Sequence, residues 1–150
     1  MSTYIRIEPP RLKSLDLVRP ELQLWWQELQ PAWQELQPDL NLKVHETLRT
    51  EERQAWLYAK GRTTQGPQVT WVQHSPHQDG VALDVYIYAG KCWISGNSYK
   101  ELALYRQLAQ LGENTSLSVF GLQPVRVFNL GQRIGKDWYH FQLEGVSGSY

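Results

Sequence analysis

Ser75-Pro76-His77-Gln78-Asp79-Gly80-Val81-Ala82-Leu83-Asp84-Val85 is the stretch whose reading decides the fold. From Val81 to Tyr88 the residue types alternate, with Val81, Leu83, Val85 and Ile87 on one face and Ala82, Asp84, Tyr86 and Tyr88 on the other. Successive side chains of a strand point to opposite sides, so this is a strand with an aliphatic face, and Asp84 looks away from it. Residues 61–80 are polar and rich in Gly, Pro, Thr and Gln; they read as a loop that delivers His74, Ser75 and His77. His77 and Asp84 bracket the small residues Gly80 and Ala82, so a loop imidazole and a strand carboxylate converge on one point with room between them. Zinc takes imidazole nitrogen and carboxylate oxygen, and a catalytic zinc keeps one position open beside its three protein ligands.

Farther along, Trp138-Tyr139-His140-Phe141-Gln142-Leu143 reads as a second strand, with Tyr139, Phe141 and Leu143 opposite His140 and Gln142. His140 stands on a non-aliphatic strand face near an acidic residue and is the expected third ligand. Asp137 precedes it by an odd number of residues, which in a continuous strand would put the two on opposite faces. Asp137 is therefore expected on the loop entering the strand, turned back toward the metal, where a carboxylate serves as general base.

Working outward, Leu22, Trp25, Trp26, Leu29, Trp33 and Leu36 recur in steps of three and four, the stripe of an amphipathic helix that Pro31 should kink or divide. The Trp25, Trp26 and Trp33 stripe reads as core packing. Residues 40–45 alternate as a strand. Thr50 then caps a helix that opens with Glu51 and Glu52 and stops at Gly61, which leaves Arg49 at a strand-to-helix junction. Residues 99–111 form a further helix expected to end at Gly112 and to be followed by a loop. Residues 125–128 read as a strand, and 145–150 as a frayed tail. The fold class expected is α+β, a small antiparallel sheet with helices packed on it.

With 150 residues the chain suits one domain, 1–150, and its 15 basic and 15 acidic residues leave no charge footprint for a nucleic-acid partner. Cys92 is the single cysteine and excludes both an intrachain disulfide and a cysteine zinc cluster. No apolar run approaches the roughly 20 residues that cross a bilayer, and the first ten residues lack a secretory h-region. Synthesis in the cytoplasm, without membrane insertion, is the expectation.

Four segments together carry a resemblance: Leu48-Arg49-Thr50-Glu51-Glu52-Arg53-Gln54, Leu57-Tyr58-Ala59-Lys60-Gly61-Arg62-Thr63, the 75–85 stretch, and Asp137-Trp138-Tyr139-His140-Phe141-Gln142. In order and spacing they resemble the zinc D-alanyl-D-alanine carboxypeptidase and L-alanyl-D-glutamate endopeptidase family, which includes phage endolysins. The resemblance implies a hedgehog/DD-peptidase fold, Zn2+ on His77, Asp84 and His140, and Asp137 as the catalytic carboxylate. It further implies that Arg49 points at the substrate carbonyl or carboxylate, and that Ser75 and Gln54 shape or support the site. Thr47-Leu48 replaces a usual Gly-aromatic pair, Gln78 a common Asn, and residues 129–135 lack a Gly-Gly-x-Trp run.

Trp71 and Trp138 flank the site in sequence, and for each a substrate-groove wall and plain packing stay open; His45 and His74 read as structural. The function implied is hydrolysis of bacterial peptidoglycan stem peptides, foremost the L-alanyl-D-glutamate bond. D,D-carboxypeptidase or D-Ala-D-Ala dipeptidase activity is the enzymatic alternative, and a non-catalytic zinc-containing module that binds cell wall or a partner is the other. A monomer without a separate cell-wall-binding domain, reaching its substrate after release through the membrane as in phage lysis, completes the expectation.

Overall fold

The computed structural model describes residues 7–145, so the expected tail at 146–150 lies outside the described residues. In chain order the elements are α1 (Pro20–Leu36), β1 (Asn41–Glu46), α2 (Glu51–Ala59), β2 (Ala82–Ala89), β3 (Cys92–Ile94), α3 (Tyr99–Phe120), β4 (Arg126–Asn129), α4 (Leu130–Ile134) and β5 (His140–Glu144). Short 3-10 turns lie at Leu15–Leu17 and Pro76–Asp79. The sheet runs in the order β1-β2-β5-β4 with all pairings antiparallel, and β3 folds back on β2 as a hairpin.

The alternation of β2 divides the sheet into a dry face and a chemical face. Leu83, Val85 and Ile87 are wholly buried and meet Phe141 and Leu143 of β5 with Leu22, Trp25, Leu29 and Trp33 of α1 and Tyr105 and Leu108 of α3. On the opposite face the register sets Asp84 against Glu46 of β1 and His140 of β5. Three strands thus bring a row of ionisable groups together, backed by an apolar core.

Two helices depart from expectation. α1 continues through Pro31 without dividing. Proline removes one backbone donor, but here it lies on the exposed side of the helix, while Leu29 and Trp33 on either side are buried and hold both halves to the sheet. α3 does not stop at Gly112 but runs on to Phe120. Gly112 is there for contact: a Cβ at this position would stand 2.5 Å from the Phe141 ring and 3.1 Å from Trp25. Trp25 Nε1 also donates to the Gly112 carbonyl at 2.8 Å, so the bare helix surface is where α1, α3 and β5 meet.

Candidate metal centre

His77 comes from the 3-10 turn ahead of β2, and its local sequence builds that turn. The Ser75 hydroxyl accepts from the His77 backbone N–H at 3.2 Å, while the Gln78 side chain accepts from the Ser75 N–H at 2.8 Å. These reciprocal bonds form a capping box. Gly80 ends the turn at φ 70°, a left-handed conformation that costs glycine little. Ser75 is buried and accepts from the His77 backbone, so it holds the turn on which the imidazole stands.

Both imidazoles are aimed by their second nitrogen. His77 Nδ1 lies 2.8 Å from the Thr47 carbonyl oxygen, which can only accept; Nδ1 therefore carries the hydrogen and Nε2 turns a lone pair to Asp84 Oδ1 at 3.2 Å. His140 Nε2 donates to Gln142 Oε1 at 3.1 Å, and its Nδ1 faces the same Asp84 oxygen at 3.5 Å. Donor atoms of His77, Asp84 and His140 all lie within 4.8 Å of one another. Two neutral imidazole lone pairs and a carboxylate oxygen repel at such distances unless a proton or a cation lies among them. The donor set, two nitrogens and one carboxylate on buried or half-buried residues, fits a zinc ion. When protons rather than a cation lie among these groups, burial pushes the Asp84 carboxyl up, but the charges and hydrogen bonds of the protonated histidines prevail and hold it well below the usual carboxylate range.

Asp137 lies in the turn between α4 and β5, with a positive φ of 65° and its carbonyl accepting from the His140 N–H at 3.2 Å. Aspartate tolerates that left-handed conformation better than most side chains. It is what allows the residue to face the cluster from outside the strand. Desolvation and then the Asp84 charge raise its carboxyl above the ordinary value; His140, His77 and Arg49 act in the opposite sense without cancelling the rise.

Arg49 is placed between β1 and α2, and its backbone N–H donates to the His77 carbonyl at 3.0 Å. Its guanidinium is clamped: Nε and Nη2 donate to the two oxygens of Glu46 at 3.2 and 2.7 Å, and Nη1 donates to Gln54 Oε1 at 2.8 Å. Three of its five N–H groups are thereby engaged and two are left for another acceptor. Gln54, itself buried, passes the constraint to the Val72 carbonyl at 2.7 Å. Glu46 also accepts from Arg53 Nε at 2.6 Å. Burial opposes its ionisation, but the two arginines outweigh this and lower its carboxyl.

Trp71 is 64% exposed, and Lys136 stands 4.2 Å over its ring, so the 61–80 loop reaches the turn that carries Asp137. Trp138 is placed differently. Its ring lies against Gly131 of α4, with the Arg106 guanidinium 5.5 Å from its centroid, an arrangement of packing between helices. His74 pairs with Asp79 at 3.0 Å. Sequence reasoning missed Glu46, Gln142 and the Thr47 carbonyl. A signal existed for Gln142, two residues from His140 on the same strand face, but none for a backbone carbonyl whose role depends on a distant loop.

No family model matches this sequence, and no curated protein sequence matches it. The fold is similar to the crystal structure of the Serratia marcescens L-Ala D-Glu endopeptidase ChiX, with a TM-score of 0.62 and 22% identity over 93% of this chain and 94% of that one. It is also similar to VanYB in complex with D-alanine-D-alanine, with a TM-score of 0.53 and 16% identity over 95% of this chain and 81% of that one. The α+β, DD-peptidase-like architecture read from the sequence is the fold observed. Among the described residues no helix is long and apolar enough to cross a membrane.

Proposed function

We propose that this chain is a zinc peptidase that hydrolyses the peptidoglycan stem peptide at its L-alanyl-D-glutamate bond, with the ion on His77, Asp84 and His140. The observation that carries the reading is the pair of imidazoles, each hydrogen-bonded at its far nitrogen so that its lone pair faces Asp84. Zinc in such a site polarises a carbonyl and lowers the pKa of a coordinated water toward about 7.

The chain's own residues supply the remainder. Asp137, held near the cluster by its left-handed turn and with a raised carboxyl, accepts the proton of the attacking water and returns it to the leaving amine. Arg49, pre-oriented by Glu46 and Gln54, offers its two remaining N–H groups to the oxyanion or to a substrate carboxylate. Glu46 is shared between Arg49 and Arg53, and Arg53 also meets Glu8 at 3.4 Å, so the charge of the clamp is balanced while two N–H groups of Arg49 stay open. Cleavage at D-alanyl-D-alanine is the second reading, favoured by the likeness to the VanYB complex; the fuller coverage of the endopeptidase chain, 94% against 81%, ranks it second.

Digestion of purified peptidoglycan with and without a zinc chelator, with mass analysis of the fragments, tests the proposal. New amino-terminal D-glutamate, lost on chelation and restored by zinc, is the expected result. Release of D-alanine instead would move the reading to the second bond, and activity indifferent to chelation would remove the metal from it. Asp137→Asn is expected to retain zinc while losing about 10²–10⁴ in kcat.

A further inference from the structure

On the face that carries Asp84, a row of rings crosses the sheet from β1 through β2 to β3. His45 stacks on Tyr86 at 3.7 Å and 10°, and Tyr86 on Trp93 at 5.0 Å and 18°, with Tyr139 tilted against both Tyr86 and Trp93. Trp93, on the edge strand β3, ends the row: Tyr86 covers one side of it, and the residue remains 48% exposed. A large ring left open beside a polar cluster suits a partner with one flat C–H face and a polar rim.

We propose that this row is a subsite for the N-acetylated pyranose to which the stem peptide is attached, with Trp93 as its stacking plate. The inference rests on the peptidase reading above and deepens it. Tyr86 follows Asp84 by two residues on the same strand face, about 7 Å, and Trp93, opposite Tyr88 on β3, sets its ring 5.0 Å from that of Tyr86, so the plate stands roughly 7–12 Å from Asp84. One L-alanine and the lactyl ether, about two residue lengths or ~7 Å, separate the scissile carbonyl of an L-alanyl-D-glutamate bond from the sugar. For a D-alanyl-D-alanine bond the sugar lies three further residues away, about 10 Å or more. The charge of Arg49 agrees with this polarity. Past Glu46, on the side of Asp84 away from Tyr86, lies the Arg49 cation, suited to glutamate's carboxylate, while Lys43, 4.4 Å over the Tyr88 ring, borders the aromatic end.

Two measurements test the subsite, on the zinc-loaded full chain. The first compares kcat/KM for a disaccharide-tetrapeptide with that for the free tetrapeptide, in wild type, Trp93→Ala and Trp93→Phe. The wild type should favour the sugar-bearing substrate about tenfold through KM, Trp93→Ala should bring that ratio close to one, and Trp93→Phe should retain most of it. The second titrates the peptide-free GlcNAc-MurNAc disaccharide by protein NMR and expects saturable shifts that Trp93→Ala abolishes. A ratio of one in the wild type, or disaccharide binding indifferent to Trp93→Ala, overturns the subsite. If neither peptide is cut while disaccharide binding persists and depends on Trp93, the peptidase reading fails and the sugar site stands.

Discussion

His77 and Thr47 are joined by a 2.8 Å hydrogen bond from imidazole Nδ1 to a backbone carbonyl, and that bond selects the tautomer whose Nε2 lone pair faces Asp84. Gln142 does the same for His140 at 3.1 Å. Partners of this kind set ligand orientation and basicity, and their loss typically costs 10–100-fold in metal affinity. Gln142→Leu is therefore expected to bind zinc about 10–100-fold more weakly while keeping the fold, as competition with a zinc chelator and circular dichroism would report. Unchanged affinity would mean that Gln142 does not set the ring.

Removing the metal should lower stability. An ion bound only by the folded chain stabilises it by about 2.7 kcal/mol at a hundredfold excess over its Kd. Thermal unfolding with zinc and with chelator should differ in that direction, and Asp84→Ala should unfold at the same temperature in both.

Glu46 holds two arginines in a site where its side chain is 3% exposed. Glu46→Gln leaves Arg49 without a carboxylate and Arg53 with only the exposed Glu8, and breaking a buried pair on one side costs about 3–5 kcal/mol. Urea unfolding should show the midpoint fall with an unchanged slope. The variant that survives should also lose kcat more than KM, because Arg49 is no longer aimed.

Stability should depend on pH through His45. Burial first, then the charge of Arg11, holds its imidazole down at about 4 against an ordinary 6.5. Between those values the unfolded chain binds a proton that the folded chain refuses, so stability is complete above pH 6.5 and declines as pH falls toward about 4. His45→Phe keeps a ring against Tyr86 and removes the proton; the difference in unfolding free energy between it and wild type should carry that slope. A constant difference across the window would exclude His45 as its source.

Gly112→Ala sets two effects against each other. Alanine favours a helix interior over glycine by about 1 kcal/mol, whereas overpacking a core typically costs about 1–3. With the Phe141 ring only 2.5 Å from the added Cβ, overpacking should prevail and leave a net loss of up to about 2 kcal/mol in chemical denaturation.

Much of the site was legible because it is local. The 75–85 stretch holds a turn, its cap and a strand in consecutive residues, so alternation alone placed Asp84 on the open face and His77 beside it. The odd separation of Asp137 from His140 put the carboxylate in a turn, where it is found with φ 65°. What was misread concerned glycine and proline in helices, whose local preference was overruled by burial. Leu29 and Trp33 carry α1 past Pro31, and Thr115, Ser116 and Phe120 carry α3 past Gly112.

By itself the sequence determined the two faces of β2, the strand face that carries His140 and the capped turn with His77, because each depends on neighbours within a few residues and on fixed backbone periods, whereas the meeting of His140 with Asp84 is a matter of β2–β5 register. Only the tertiary structure decided which nitrogen of each histidine faces Asp84, that Arg49 is gripped by Glu46, and that Trp93 ends a row of stacked rings. Those relations join β1, β2, β3 and β5 across a sheet register, and a register is set by the packing of the whole apolar face.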